Sequence, residues 1–317
     1  MLVLAGDIGG TKTWLQAFDT TTARVWQHKY VSSDFSGLAE MILRFRQDNQ
    51  LGMIAAACFG LAGPVAGRVA DLTNLPWRVD ANELQSLCHI ERVELLNDFQ
   101  AAALGIDALA QDELIVLHQG EFDARGNRLV VGAGTGLGVA PVVQCGGRFL
   151  PQPGEGGHMD FAPIDSEQQA ILQWCWSFWS HVSYERLLCG AGLAMLYAYF
   201  ADLPRDNQQA WLAPPMIQPL AEQGDEAARR ALNTFVRIYG AYIGNVALLW
   251  PARAGVYIAG GIASKIEGWM RDGTFLQALH DKGRMHKLVA SMPIYLVKDE
   301  LLGLKGAMLR AQEMTNI

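Results

Sequence analysis

Apolar residues in this chain gather into short continuous runs that end at glycine, and between the runs lie stretches of helical spacing. Runs 2–8 and 53–59 have no regular polar alternation, as in strands buried on both faces of a parallel sheet, and 92–96 predicts a third such strand. Residues 13–18 and 23–30 predict the strands that follow the first run, 38–47 a helix, and the alanine-rich stretch 100–110 another helix. The sequence then starts the same order again. Residues 128–132 predict a strand entering the glycine turn Gly132–Gly138, and 139–144 a strand leading to a hairpin at Gly146-Gly147. Helices follow at 166–178, 184–200 and 226–250. A short strand, Val256–Ala259, runs into Gly260-Gly261, and strand 293–297 with helix 301–313 closes the chain.

The order strand, glycine turn, strand pair, helix, strand, helix therefore occurs twice. The two rounds share no long identical segment, so the repeat is one of architecture. It predicts two α/β lobes of one type flanking a cleft, with residues 1–108 plus 297–317 in a small lobe and 109–296 in a large one. Stretch 202–223, with Pro204, Pro214, Pro215 and Pro219, reads as a surface excursion.

Composition narrows the classes. With 317 residues the chain can bury a sizeable core without disulfides or a structural metal. Charged residues are 18% and hydrophobic ones 50%, which excludes a disordered or coiled-coil protein. The net charge of −7 argues against a nucleic-acid binder, which would show a basic face. The five cysteines lack metal-ligand spacing and read as reduced thiols of a cytosolic protein. No run is long enough to span a bilayer, and 1–5 carries no basic leader, so a cytoplasmic protein without membrane contact is expected. Glycine is in excess, 33 of 317, and its clusters carry the chemistry.

Gly6-Asp7-Ile8-Gly9-Gly10-Thr11-Lys12-Thr13 follows one strand and precedes another. A P-loop or a dinucleotide fingerprint would open a helix there, so neither applies. Backbone amides of such a turn can approach phosphate oxygens, and Asp7 could hold a hydrated Mg²⁺. A plain hairpin turn with Asp7 as its cap fits equally well. Gly132-Ala133-Gly134-Thr135-Gly136-Leu137-Gly138 repeats the device, and the pair could face a polyphosphate from both sides. Gly260-Gly261 is a third place of close approach, suited to a helix N-terminus beside a nucleotide.

Asn97-Asp98 ends strand 92–96, where ligands bind in α/β sheets. Asp98 could accept a proton from a hydroxyl, but an Asx turn or helix N-cap is the better reading on propensity alone. In Pro153-Gly154-Glu155-Gly156-Gly157-His158-Met159-Asp160-Phe161 three glycines bend a loop around a Glu and a His, and a loop of that kind usually serves a function. Glu185 reads on its own as a first-turn carboxylate of a helix. His28, His89, His118, His181, His280 and His286 show no pairing pattern. The run Trp174-Cys175-Trp176-Ser177-Phe178-Trp179 reads as lobe core or subunit interface.

Taken together these motifs resemble the bacterial glucokinase family, within the hexokinase and actin-like ATPase (ribonuclease H-like) fold. Gly6–Thr11 looks like its first phosphate motif, Leu96-Asn97-Asp98-Phe99 its catalytic strand end, and Gly132–Gly138 its second phosphate motif. The Pro-Gly-Glu-Gly-Gly-His loop is similar to the sugar-binding loop, Ser183–Leu187 to a Ser-x-Glu-Arg segment, and Ile258-Ala259-Gly260-Gly261-Ile262 to the adenosine-side glycine pair. The likeness runs in order from Val3 to Gly306. A related repressor and kinase group carries a cysteine-rich zinc motif after this loop. Here Met159-Asp160-Phe161-Ala162-Pro163 stands instead, which points to the zinc-free branch. Lys12 departs from the common Asn, and its role is open.

The resemblance implies ATP-dependent phosphorylation of glucose to glucose 6-phosphate, as in glycolysis, with Mg²⁺ and in a homodimer. It implies Asp98 as general base and Asn97, Asp98, Glu155, His158 and Glu185 as sugar ligands. Gly6, Asp7, Ile8, Gly9, Gly10, Thr11, Gly134, Thr135, Gly136, Gly260 and Gly261 would hold the nucleotide, Asp7 reaching Mg²⁺ through water. Rivals are a kinase for another hexose (mannose or an N-acetylhexosamine) and a non-catalytic sugar-responsive regulator. The regulator is disfavoured because Asp7 lies too near the start for a DNA-reading domain to precede it. An actin-like structural ATPase would have no use for the Glu-Gly-Gly-His loop.

Overall fold

The structure, a computed structural model, describes residues 1–205 and 211–315. The chain forms two compact units: Met1–Gln111, Leu150–Pro153 and the segment from Asp299 make one, Asp112–Phe149 and Gly154–Lys298 the other.

In the first unit, β1 (Leu2–Ile8), β2 (Lys12–Asp19) and β3 (Val25–Val31) form an antiparallel meander. Helix α1 (Leu38–Asn49) follows, burying Leu38, Met41, Ile42 and Phe45 at helical spacing. Strand β4 (Ile54–Leu61) lies parallel to β1, as its unbroken apolar run requires. A small sheet of β5 (Val65–Ala66), β6 (Val69–Asp71) and β7 (Arg78–Asp80) leads to α2 (Ala81–Cys88), and β8 (Ile90–Asn97) joins β4 in parallel. The main sheet has the order β3-β2-β1-β4-β8. Helix α3 (Asp98–Gly105) leaves directly from the end of β8.

The second unit opens with β9 (Leu114–His118). Strands β10 (Arg128–Ala133), β11 (Leu137–Cys145) and β12 (Arg148–Pro151) then repeat the meander. Helices α4 (Ser166–Cys175), α5 (Gly190–Phe200), α6 (Pro214–Glu222) and α7 (Glu226–Leu249) precede β13 (Val256–Ala259). Short helices α8 (Gly261–Lys265), α9 (Glu267–Arg271), α10 (Thr274–His280) and α11 (His286–Ala290) lead to β14 (Ile294–Val297). This sheet runs β12-β11-β10-β13-β14-β9, with β10, β13 and β14 parallel. Apart from β9, it repeats the first sheet strand for strand. The chain then returns to the first unit as α12 (Leu302–Glu313).

Several expectations are corrected. Stretch 184–200 is not one helix: a 3₁₀ turn, Tyr184–Arg186, comes first, and α5 begins only at Gly190. The break has a cause, because the Gly190 N–H donates to Gly134 O (2.9 Å) and Gly192 packs against the Leu187 carbonyl. The 166–178 helix ends at Cys175. The helix expected at 100–110 starts at Asp98 and gives way after Gly105 to a 3₁₀ turn. Within 202–223, α6 is a packed helix with Ile217 and Ala221 fully buried, because prolines at its first two positions start a helix well. Residues 206–210 of that stretch lie outside the described residues. Strands β5 to β7, α2 and β9 carried no signal strong enough to predict them. Among the described residues no helix is long and apolar enough to cross a membrane.

Candidate active site

The first unit's predicted site residues lie at the carboxyl ends of its parallel strands. Ile8, Leu61 and Asn97 stand in register across β1, β4 and β8, with Asp7, Gly60 and Leu96 one residue behind. At about 4.8 Å per strand step, the β1 turn and the end of β8 are ~10 Å apart. Gly60 is a glycine for packing, since a Cβ there would stand 2.8 Å from the Ala101 Cβ. Its absence lets α3 sit against β4 and brings Asp98 to the sheet's edge.

The β1–β2 turn is braced from outside. The Gly9 N–H donates to Lys12 O (3.1 Å), and the buried Ser32 hydroxyl donates to Gly9 O (2.8 Å) and shares a hydrogen bond with Thr13 Oγ1 (3.0 Å). A Cβ on Gly10 would stand 2.6 Å from the Asn74 Cβ. Thr11 and Lys12 are exposed at the tip. Gly6 lies inside β1 against Phe59, Ile8 and Leu15, so its missing side chain serves packing. Ile8 is likewise a buried strand residue.

Asp7 is enclosed between strand neighbours Trp14 and Gly60, and burial pushes its carboxyl up to about 6. Among the described residues, no three His, Cys, Asp or Glu gather as a metal cage. A single carboxylate beside a glycine turn is nevertheless a donor set that Mg²⁺ can use, since it keeps its waters and takes its other ligands from phosphates. Asp7 fits that role, and a nearby dication would favour its ionised form.

At the end of β8 the propensity reading holds. Asn97 is the N-cap of α3: its side chain accepts from the Phe99 N–H (2.9 Å), and Gln100 Oε1 accepts from the Asn97 N–H (3.2 Å). Asn97 Nδ2 also donates to Gly63 O (3.3 Å). Asp98 is the first residue of α3, half-buried, with Oδ1 accepting from the Phe99 N–H (2.9 Å). The cap locks the backbone that aims Asp98.

The second unit brings together the remaining predicted residues. In the β10–β11 turn the Gly134 N–H donates to Gly136 O (2.8 Å), and Thr135 is exposed. Gly260 has φ +87°, and a Cβ there would stand 2.5 Å from Ala133 O. Only glycine permits α8 to start so close to the turn, which places Gly260 and Gly261 beside Gly134–Gly136.

The sugar-type loop is a single 3₁₀ turn, Gly156–His158, with Glu155 preceding it and the His158 N–H donating to Glu155 O (3.0 Å). Gly157 packs against the Leu137 carbonyl oxygen, and Gly156 against Val139 and the Tyr242 hydroxyl. Glu155 and His158 are exposed. Glu185 does not open an α-helix. It sits in the 3₁₀ turn, where Oε2 accepts from the Leu137 N–H (2.9 Å) and Oε1 lies 3.9 Å from His158 Nε2. Beneath them the Tyr184 N–H donates to Met159 O (2.9 Å), and Asn245 Nδ2 donates to the Tyr184 hydroxyl (3.0 Å).

Sequence reasoning missed Ser32, Gly60, Gly303 and Asn245, which brace the site without touching its open face. Of these only the Gly303-x-x-Gly306 spacing, a mark of close helix packing, was readable. The histidines are not all unpaired. His181 Nε2 is 2.8 Å from Asp160, and His118, His280 and His286 cluster with ring centroids 4.7 and 5.8 Å apart. Burial, then the neighbouring histidines, push His280 down to about 4. In the tryptophan-rich run Trp174 is core, stacked with Trp211, while Trp176 is exposed.

Two sheets of matching strand order, each with a glycine turn between its first two strands, define a sugar kinase of the actin-like ATPase fold. The Glucokinase family profile matches residues 4–314, and the chain belongs to that family. It is 34% identical to the glucokinase of a Nostoc species over 340 aligned residues, covering 99% of both chains. It is 35% identical to the glucokinase of Chromohalobacter salexigens, covering 96% of this chain and 95% of that one. The crystal structure of a glucokinase from an Antarctic psychrotroph superposes with a TM-score of 0.84 at 27% identity, covering 98% of this chain and 99% of that one.

Proposed function

We propose that this chain phosphorylates the 6-hydroxyl of glucose with ATP, with Asp98 as the general base. The observation that carries the reading is the placement of Asp98 at the carboxyl end of β8, aimed by the Asn97–Gln100 capping box, in the same sheet as the Asp7 glycine turn. As the hydroxyl oxygen bonds the γ-phosphorus, its proton passes to the Asp98 carboxylate. The bond from phosphorus to the β–γ bridging oxygen breaks, and ADP leaves. Phosphoryl transfer needs mainly positioning and charge stabilisation, which backbone amides of the two glycine turns, other than the Gly9 and Gly134 N–H groups already bonded within them, can supply. Mg²⁺, held by Asp7 through water, would offset phosphate charge.

Asn97, Glu155, His158 and Glu185 would hold the sugar's hydroxyls, and Gly260-Gly261 would let the adenosine lie close to the backbone. The enzyme would work in the cytoplasm, in glycolysis, as a homodimer, with the exposed Trp176 at the contact. A hexose panel assayed with ATP tests the reading. Glucose should be the best substrate. Comparable kcat/KM for an N-acetylhexosamine would overturn the choice of sugar, and no turnover of any hexose would overturn the kinase.

A further inference from the structure

We propose that Gly136, in the turn assigned to phosphate, is a positioning residue of the sugar site, holding open the place that Glu185 occupies. The inference rests on the functional reading above, which makes Glu185 a sugar ligand.

A Cβ on Gly136 would stand 2.5 Å from Glu185 Oε2 and 3.4 Å from its Cδ, while one on Gly134 would meet nothing within 4 Å. The two glycines of one turn thus answer different demands. Gly134 leaves space open beside the backbone, whereas the space at Gly136 is filled by the Glu185 carboxylate. That carboxylate is fixed by the next residue, since the Leu137 N–H donates to Oε2 (2.9 Å). Its other oxygen faces His158 Nε2 at 3.9 Å. The Leu137 carbonyl in turn supports Gly157 of the sugar loop. Residues 136 and 137 therefore set Glu185 with a vacant Cβ position and an N–H, and seat the loop with a carbonyl.

Gly136 does not adopt the left-handed backbone region that disfavours side chains. Alanine would fit its backbone, and the atom it displaces is the far end of a flexible side chain. The fold should survive while Glu185 moves off its hydrogen bond.

Steady-state kinetics of Gly136→Ala test this. KM for glucose should rise on the order of tenfold, the scale of one weakened hydrogen bond to a charged group, with a smaller change in KM for ATP. Gly134→Ala should show the opposite split. In a Glu185→Ala background, Gly136→Ala should add nothing to the glucose KM, because the group it displaces is gone. A Gly136→Ala effect that falls mainly on ATP, or persists undiminished without Glu185, would overturn the inference. If Gly136→Ala does not fold, Glu185→Asp probes the same contact by withdrawing the carboxylate from Leu137. It should raise KM for glucose and not for ATP, and an equal effect on both would overturn the inference. Wild-type protein that turns over no hexose would instead overturn the functional reading.

Discussion

The carboxylate of Asp7 lies against the first turn of α12, its three atoms each 3.4 Å from where a Cβ on Gly303 would stand. Any larger residue at 303 would press on the group assigned to Mg²⁺. Burial pushes this carboxyl up to about 6. Asp7 is thus held in an environment that resists its charge, which the proposed Mg²⁺ would relieve, and this gives a signed prediction.

Asp7→Asn should stabilise the ligand-free protein at neutral pH while abolishing Mg²⁺-dependent turnover. The folded carboxyl titrates at about 6 against an ordinary value of 3.8, so between those values the folded state binds more protons than the unfolded one. Stability therefore falls as pH rises through that window, and at pH 7 the full penalty is present. The gain in melting temperature on Asp7→Asn should be largest at pH 7 and shrink toward nil near pH 4. Thermal melts across that range check it, and a variant less stable than wild type at pH 7 would contradict it.

Asp98→Asn should lower kcat by ~10²–10⁴-fold, the usual contribution of a general base. The capping box uses Asn97 and Gln100, and an amide oxygen at 98 can still accept from the Phe99 N–H. Geometry should therefore be kept and glucose binding weakened only modestly. Calorimetric glucose binding measured beside turnover separates the two effects, and near-normal turnover would remove Asp98 from the mechanism.

Helices α3 and α12 cross so closely that a Cβ on Gly306 would run into the Ala101 carbonyl oxygen, and one on Gly105 into that of Leu302. Here the obstacle is backbone, which cannot swing aside as Glu185 can. Gly306→Ala should destabilise the protein by roughly 1–3 kcal/mol, the range for overpacking. Because α3 carries Asp98, kcat should also fall. Denaturant unfolding beside kinetics would show both, and an unchanged midpoint would mean that the crossing is looser than the structure has it.

The parallel strands were legible because burial on both faces leaves unbroken apolar runs, as in Leu2–Ile8 and Val256–Ala259. The repeat was legible because each run ends in a glycine turn. Long-range contacts were not legible. Nothing local announces that Glu185 is claimed by the Leu137 amide, and its first-turn propensity points elsewhere. The 184–200 helix was overdrawn because its residues suit a helix, while the Gly190 bond to Gly134 and the packing of Gly192 on the Leu187 carbonyl stop it. His118, His280 and His286 showed no spacing because β9, α10 and the start of α11 meet only in the fold. At Asp98 the local reading holds, since α3 starts there, and the proposed base is compatible with it because a helix start and a base can share one strand end.

The choice of sugar should be read by Glu155 and His158 acting as a unit. Glu155 is the N-cap and His158 the last residue of one 3₁₀ turn, three positions apart. Their placement on β11 is set through Gly156 and Gly157, which have no side chain to hold the turn away. An ionised Glu155 can only accept hydrogen bonds, whereas His158 can donate as well. Such a pair would suit adjacent ring hydroxyls better than an acetamido group. Losing a hydroxyl from the sugar would strand a polar partner, a penalty that can reach ~10⁴-fold in a site built to bind it. Glucose should therefore run well ahead of N-acetylglucosamine, with N-acetylmannosamine also poor. Glu155→Ala and His158→Ala should each raise KM for glucose more than KM for ATP, and the double variant should fall short of the product of the two because they share one substrate face. Kinetics of the two single variants and the double on each sugar check this. Fully multiplicative losses would show that the two side chains read the sugar independently.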